Sequence, residues 1–243
     1  MAKKIKIDNA ILKRQKRKES KRHILKKISC RILIICEGKK TEPNYFRNFR
    51  VGENSSFVYE VECDGKGNNT IDVVDEAIRR KYAAEKTTPY DSVWAVFDRD
   101  SFPKDNFNNA IAKAHANGIE VAWSNEAFEL WYLYHFHNRT TPMPRKDYAD
   151  AISNAVNTSE KWNQNKSYKY KKNEIKNYEI MTKYGNLDQA IRWAMEQHLS
   201  FDGKNYADQN PCTLVYKLVL QLLNRDQELI DRVMEKINDN TAN

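Results

Sequence analysis

Between residues 31 and 137, short apolar runs alternate with segments of helical spacing. Residues 31–36 (Arg-Ile-Leu-Ile-Ile-Cys) form a continuous apolar run, the pattern of a strand covered on both faces. Thr41 reads as a helix cap before Glu42-Pro43-Asn44-Tyr45-Phe46, with proline in the first turn. Residues 57–63 alternate as a second strand, and Thr70 or Asp72 starts a helix running to about residue 86. A third strand is expected over 92–97, a helix over 106–117 closed by Gly118, and a fourth strand over 119–124. Asn125 then reads as the cap of an aromatic helix reaching Phe136. Four β-α units in succession predict an α/β fold with a parallel sheet of about four strands flanked by helices.

Beyond residue 140, past Pro142 and Pro144, the strand signals stop. Helical spacing covers 147–156, 187–199 and 214–223, a charged helix is expected from Asp226, and residues 159–177 are polar and rich in Lys and Tyr. The expected organisation is a basic arm over 1–30, an α/β domain over 31–139 and a helical C-terminal region over 140–243.

The net charge of +8 changes meaning once it is located. Residues 1–31 hold thirteen Lys or Arg against Asp8 and Glu19; subtracting that +11 from +8 leaves −3 on the other 212 residues. Lys13, Arg14, Lys16, Arg17, Lys18, Lys21 and Arg22 are expected to form a phosphate-binding arm that contacts nucleic acid. The arm has few bulky apolar residues, which argues against a membrane face. No eighteen-residue apolar window and no signal-like apolar stretch is present, so a cytoplasmic protein is expected. Four cysteines without a Cys-x-x-Cys pair indicate neither a zinc site nor a disulfide framework, and Cys36 and Cys63 read as small buried hydrophobes.

The chemistry concentrates at two strand ends. Glu37, followed by Gly38, closes the first strand, and Asp98-Arg99-Asp100 closes the third. In open α/β sheets, ligands bind at the carboxyl ends of strands. A lone Glu at a strand end is common; with an Asp-x-Asp after a second apolar strand, it predicts three carboxylates gathered on one rim. Such acids repel unless a cation joins them, and hard oxygen donors suit Mg²⁺, or Mn²⁺ in its place. Glu37 is expected in metal sharing or acid/base work, with Asp98 and Asp100 as metal ligands. Lys39 and Lys40 follow at the mouth of the next helix, placed to steady a phosphate. Gly38-Lys39-Lys40-Thr41 lacks the upstream Gly and the order of a Walker motif. Glu129, an acid among aromatics, is a further metal or supporting carboxylate, or a structural ion pair. His135, Trp131, Tyr132 and Tyr134 read as core.

These segments resemble the RloB-like family, whose domain is related to TOPRIM nuclease and primase domains. The resemblance rests on Ile34-Ile35-Cys36-Glu37-Gly38-Lys39-Lys40-Thr41-Glu42-Pro43-Asn44-Tyr45-Phe46, on Val96-Phe97-Asp98-Arg99-Asp100, on the stretch 124–136, and on Asn210-Pro211-Cys212-Thr213. It implies a TOPRIM-like sheet with a C-terminal helical extension. The TOPRIM glutamate would then be Glu37 and the Asp-x-Asp pair Asp98 and Asp100. Glu126 departs from the family pattern and is given no role. The resemblance further implies a Mg²⁺-dependent nuclease of bacterial anti-phage defence that cuts DNA or RNA such as tRNA, working beside an ABC- or SMC-like ATPase. The alternative is a non-catalytic nucleic-acid-binding subunit of such a complex. A homodimer is a further expectation, from the aromatic, amphipathic C-terminal helices.

Overall fold

Strand β1 (Ile28–Cys36) sends its side chains alternately to the two faces of a sheet, as the two-residue repeat of a strand requires. Ile32, Ile34 and Cys36 enter one buried cluster, and Leu33 and Ile35 the other. This is why the sequence shows an unbroken apolar run: both faces are covered. The computed structural model describes residues 28–49, 57–65, 69–100 and 103–227. The basic arm, and the expected charged helix beyond Gln227, lie outside the described residues.

The chain continues through α1 (Thr41–Phe46), β2 (Phe57–Gly65), α2 (Thr70–Glu85), β3 (Ser92–Asp98), α3 (Lys104–Ala116) and β4 (Glu120–Asn125). Next come α4 (Glu129–Tyr134), α5 (Tyr148–Asn157), α6 (Asn177–Tyr184), α7 (Leu187–Leu199), the two-residue β5 (Cys212–Thr213) and α8 (Val215–Leu222). The sheet order is β2-β1-β3-β4-β5. The first four strands are parallel; β5 pairs antiparallel with β4 through Ser124–Thr213 and Asn125–Cys212. The fold is α/β with a mostly parallel sheet, as expected from the pattern, and β5 is a strand that the pattern did not announce.

One face carries α2 and α3, through Val73, Val74, Ala77, Phe107, Ala110, Ile111 and Ala114. The other carries α1, α4 and the later helices, in a layer dense with Tyr45, Phe46, Phe128, Trp131 and Tyr132. Deleting one such buried aromatic costs about 3–5 kcal/mol, a large part of a total stability of about 5–15 kcal/mol. That layer therefore sets the position of everything mounted on it. The chain leaves β1 outward to β2, then crosses back to β3 on β1's other side. The β1/β3 junction is thus the point where strand order reverses, where such sheets open a crevice.

Several local expectations are corrected. Thr41 is the first residue of α1 rather than its cap, and its hydroxyl donates to Asn173 Oδ1 at 2.9 Å. Asn125 ends β4 instead of capping a helix; its side-chain amide donates to the carbonyls of Ala207 (3.2 Å) and Gln209 (2.9 Å). The aromatic helix is short, beginning at Glu129. Asn69 caps α2 by accepting from the Asp72 N–H at 3.1 Å.

Candidate active site

The register of the two central strands brings the acids together. Cys36 pairs with Val96, and the Glu37 N–H donates to the Val96 carbonyl at 2.8 Å, carrying the ladder one step past β1. Glu37 Oε2 then accepts the backbone N–H of Asp98 at 3.1 Å. Glu37 and the Asp98-Arg99-Asp100 segment therefore share one rim, at the crevice. Burial pushes the Glu37 carboxyl up to about 7; the charges of Glu42 and Asp100 add to this, while the Asp98 N–H and Arg145 oppose it. Asp98 is 7% exposed, and burial, then the charge of Glu42, raises it well above the usual carboxylate range despite Arg145.

Arg145 is the cation of this rim, and the sequence gave it no prominence. It reaches the site from the turn Arg145–Asp147, immediately after Pro144. Its Nη2 lies 2.6 Å from Asp98 Oδ2 and its Nη1 3.1 Å from Asp100 Oδ1. A planar guanidinium suits such a fork better than an ammonium would. Its backbone N–H donates to Glu126 Oε2 at 3.1 Å, so Glu126, given no role above, holds the loop that delivers Arg145.

Two more carboxylates face the same space. Glu42, in the first turn of α1, is 5% exposed and its Oε2 has no hydrogen-bond partner. A Cβ on Gly38 would overlap the Glu42 carboxylate, so glycine there is required by close approach. Glu129, also 5% exposed, accepts the Tyr170 hydroxyl at 3.0 Å, with Lys172 Nζ at 3.8 Å; its Oε2 has no partner. Burial raises Glu42, as does the charge of Glu129, against Lys172 and Arg145. Lys39 and Lys40 are exposed on the loop between β1 and α1. With α1 only six residues long and Lys40 making no side-chain cap bond, the expected help from a helix dipole is slight.

Glu42, Arg145, Tyr170 and Lys172 are the rim residues that reading the sequence missed. For Glu42 a signal existed: an acid five residues after Glu37, in the first turn of a helix leaving the rim. Tyr168-Lys169-Tyr170 shows the alternation of an extended segment, with Tyr170 buried and Lys169 exposed. Asn173 ties that segment to α1, accepting from Asn44 Nδ2 at 3.2 Å. His135, by contrast, is core: buried, with Nδ1 3.0 Å from the Trp131 carbonyl oxygen, and lowered by burial to about 4. Cys36 is buried as expected, and the arm cations Lys13, Arg14, Lys16, Arg17, Lys18, Lys21 and Arg22 lie outside the described residues.

Among models of protein families, residues 32–222 match that of the RloB-like protein. The chain belongs to this family. No curated protein and no solved structure matches it. The family match takes in every described rim residue of this RloB-like chain and stops short of the arm.

The family's TOPRIM-type reading implies a divalent cation. Among the described residues, no group of three or more His, Cys, Asp or Glu side chains is drawn together as a ready ligand set. Arg145 stands at Asp98 and Asp100 instead. The donor chemistry nevertheless suits a hard cation: Glu37, Asp98 and Asp100 offer oxygen, and Glu42 Oε2 and Glu129 Oε2 are buried carboxylate atoms that nothing satisfies. A cavity of about 460 Å³ adjoins them, with Asp100, Arg99, Arg145, Asn125 and Asn210 in its wall. No helix among the described residues is long and apolar enough to cross a membrane.

Proposed function

We propose that this RloB-like protein is a Mg²⁺-dependent nuclease that hydrolyses phosphodiester bonds in RNA or DNA. The supporting observation is the meeting of Glu37 with the Asp98 backbone at 3.1 Å, on the crevice where β1 and β3 end. Asp98 and Asp100 would hold the cation, Mg²⁺ or Mn²⁺, with Glu37 sharing it or carrying a proton. Glu129 would support the set. Bound there, the ion would polarise a phosphoryl oxygen and lower the pKa of a water molecule.

Glu37, held near 7, takes up and returns a proton close to neutral pH, as a general acid/base must. Lys39 and Lys40, exposed beside the rim, steady the scissile phosphate. Arg145 is within side-chain reach of the same phosphate once it leaves the two aspartates. The basic residues between 13 and 22 supply affinity without sequence preference, which makes binding fall steeply with salt. The role is anti-phage defence in the cytoplasm beside an ABC- or SMC-like ATPase, with self-association as a homodimer. Cleavage of labelled tRNA and DNA with Mg²⁺ tests the reading, with Asp98→Asn as the control; equal products from both proteins would end it.

One observation favours the second reading, a nucleic-acid-binding subunit without catalysis. Arg145 already neutralises Asp98 and Asp100 as a divalent ion would. Its signature is tight binding that EDTA leaves unchanged, with no product formed.

A further inference from the structure

On the other side of Arg145 from the first cavity lies a second, of about 470 Å³. Its walls are largely apolar, and the buried side chains of Tyr148 and Tyr170 form much of them, with Ala149 of α5 exposed at the edge. Lys146 and Lys172, both exposed, and half-exposed Arg145 complete the ring. Two buried polar atoms on its lining residues have no hydrogen-bond partner, Tyr148 Oη and Glu129 Oε2.

A slot with aromatic walls and a cationic edge selects a ligand with flat apolar faces and anionic groups beside them. Its volume falls within the range of about 300–1,000 Å³ typical of small-molecule sites. Glu129 and Tyr148 add unsatisfied polar groups for the edge of a ring bearing N–H and C=O. Arg145 is at once a wall of this slot and the partner of Asp98 and Asp100. A ring seated here would therefore bring its adjoining phosphate to the acidic rim.

We infer that the slot between Tyr148, Tyr170 and Arg145 takes one unpaired nucleobase of a bound strand. A base inside a duplex cannot enter, so the strand is single or the nucleotide is turned out of its stack. The inference rests on the nucleic-acid part of the proposed function and is independent of hydrolysis.

The test is fluorescence anisotropy in EDTA with the full chain, using a labelled single strand, the same strand with its bases removed, and a duplex. Ala149→Trp fills the slot from an exposed helix position and removes no contact; Lys172→Gln, also exposed, is the second variant, and melting curves confirm both fold. Wild type should prefer the base-bearing strand to the abasic one by about tenfold, the size of one stacked base. Ala149→Trp should abolish that preference and leave duplex and abasic binding unchanged. Lys172→Gln should keep the preference while making binding less salt-dependent. Binding without base preference, or a preference that survives Ala149→Trp, would overturn the slot. A preference lost as expected, in a protein that yields no product with Mg²⁺, would instead remove the nuclease reading and leave the slot standing.

Discussion

The acidic rim and the aromatic layer beside it both bury titratable groups, with opposite results. In the layer, burial holds His135 neutral, lowering it to about 4, and its Nδ1 faces a carbonyl oxygen of its own helix. Nothing there asks for a ligand. On the rim, burial raises Glu37, Glu42 and Asp98 together, and they share Arg145 and Lys172 as nearby positive charge. Burial by itself thus marks nothing. It marks a site where charge is gathered and left incompletely matched, because a bound cation then gains what the empty arrangement costs.

The sharpest break in this comparison is catalytic. Asp98→Asn should lower cleavage on the order of a thousandfold, the scale of losing a charge that positions the reacting phosphate. His135→Gln should leave cleavage near wild type in the same labelled-tRNA and labelled-DNA assays.

The next effect is on stability in acid. His135 has a folded pKa below its unfolded value, so its contribution is present above about 6.5 and is lost as pH falls through about 4. For a group this buried, the loss is about 3 kcal/mol. His135→Gln should flatten the fall in melting temperature between pH 6.5 and 4, read as a slope rather than as an absolute temperature.

Arg145→Met should destabilise the metal-free protein by about 2 kcal/mol, a buried-pair loss discounted because the guanidinium is part-exposed. Mg²⁺ should recover more stability in this variant than in wild type, measured by melting with and without EDTA. An equal response in both proteins would show that Arg145 and the ion do not compete for the two aspartates.

Glu37 gives the smallest effect, with the sign reversed. Its folded pKa is raised, so its contribution is present below about 4.5 and is lost as pH climbs through about 7. Discounted for partial exposure, that is about 1 kcal/mol, or about 2–4 °C in melting temperature. Glu37→Gln should remove that drift between pH 5.5 and 8.

How much of this was legible follows from how far each feature depends on distant chain. β1 and β3 announce themselves as apolar runs, and Glu37, Asp98 and Asp100 stand at their ends, so strand and acid were read together. Their convergence needed only β1 beside β3, which a reversal of strand order supplies. Arg145 could not be read this way: it sits on a turn, and its arrival at Asp98 depends on Glu126 and on the path after Pro144. β5 has two residues, too few for any periodicity to show. α6 begins inside the polar stretch read as irregular, and Met181 and Tyr184 are its buried positions. Asn125 looked like a cap because asparagine favours caps; the carbonyls of Ala207 and Gln209, more than eighty residues away, claimed it instead.

The antiparallel pairing of Cys212–Thr213 with Ser124–Asn125 has a temporal consequence. The acids are all synthesised by residue 129, yet Ala207 and Asn210, which help enclose the 460 Å³ cavity beside Asp100, come from the stretch just before β5. Until that stretch emerges from the ribosome, the exposed edge of β4 has no cover and the cleft lacks a side. A chain cut short anywhere before Cys212 would carry every acidic group and still lack the finished cleft, so the molecule's hazard to nucleic acid, on our proposal, is withheld until translation is nearly done.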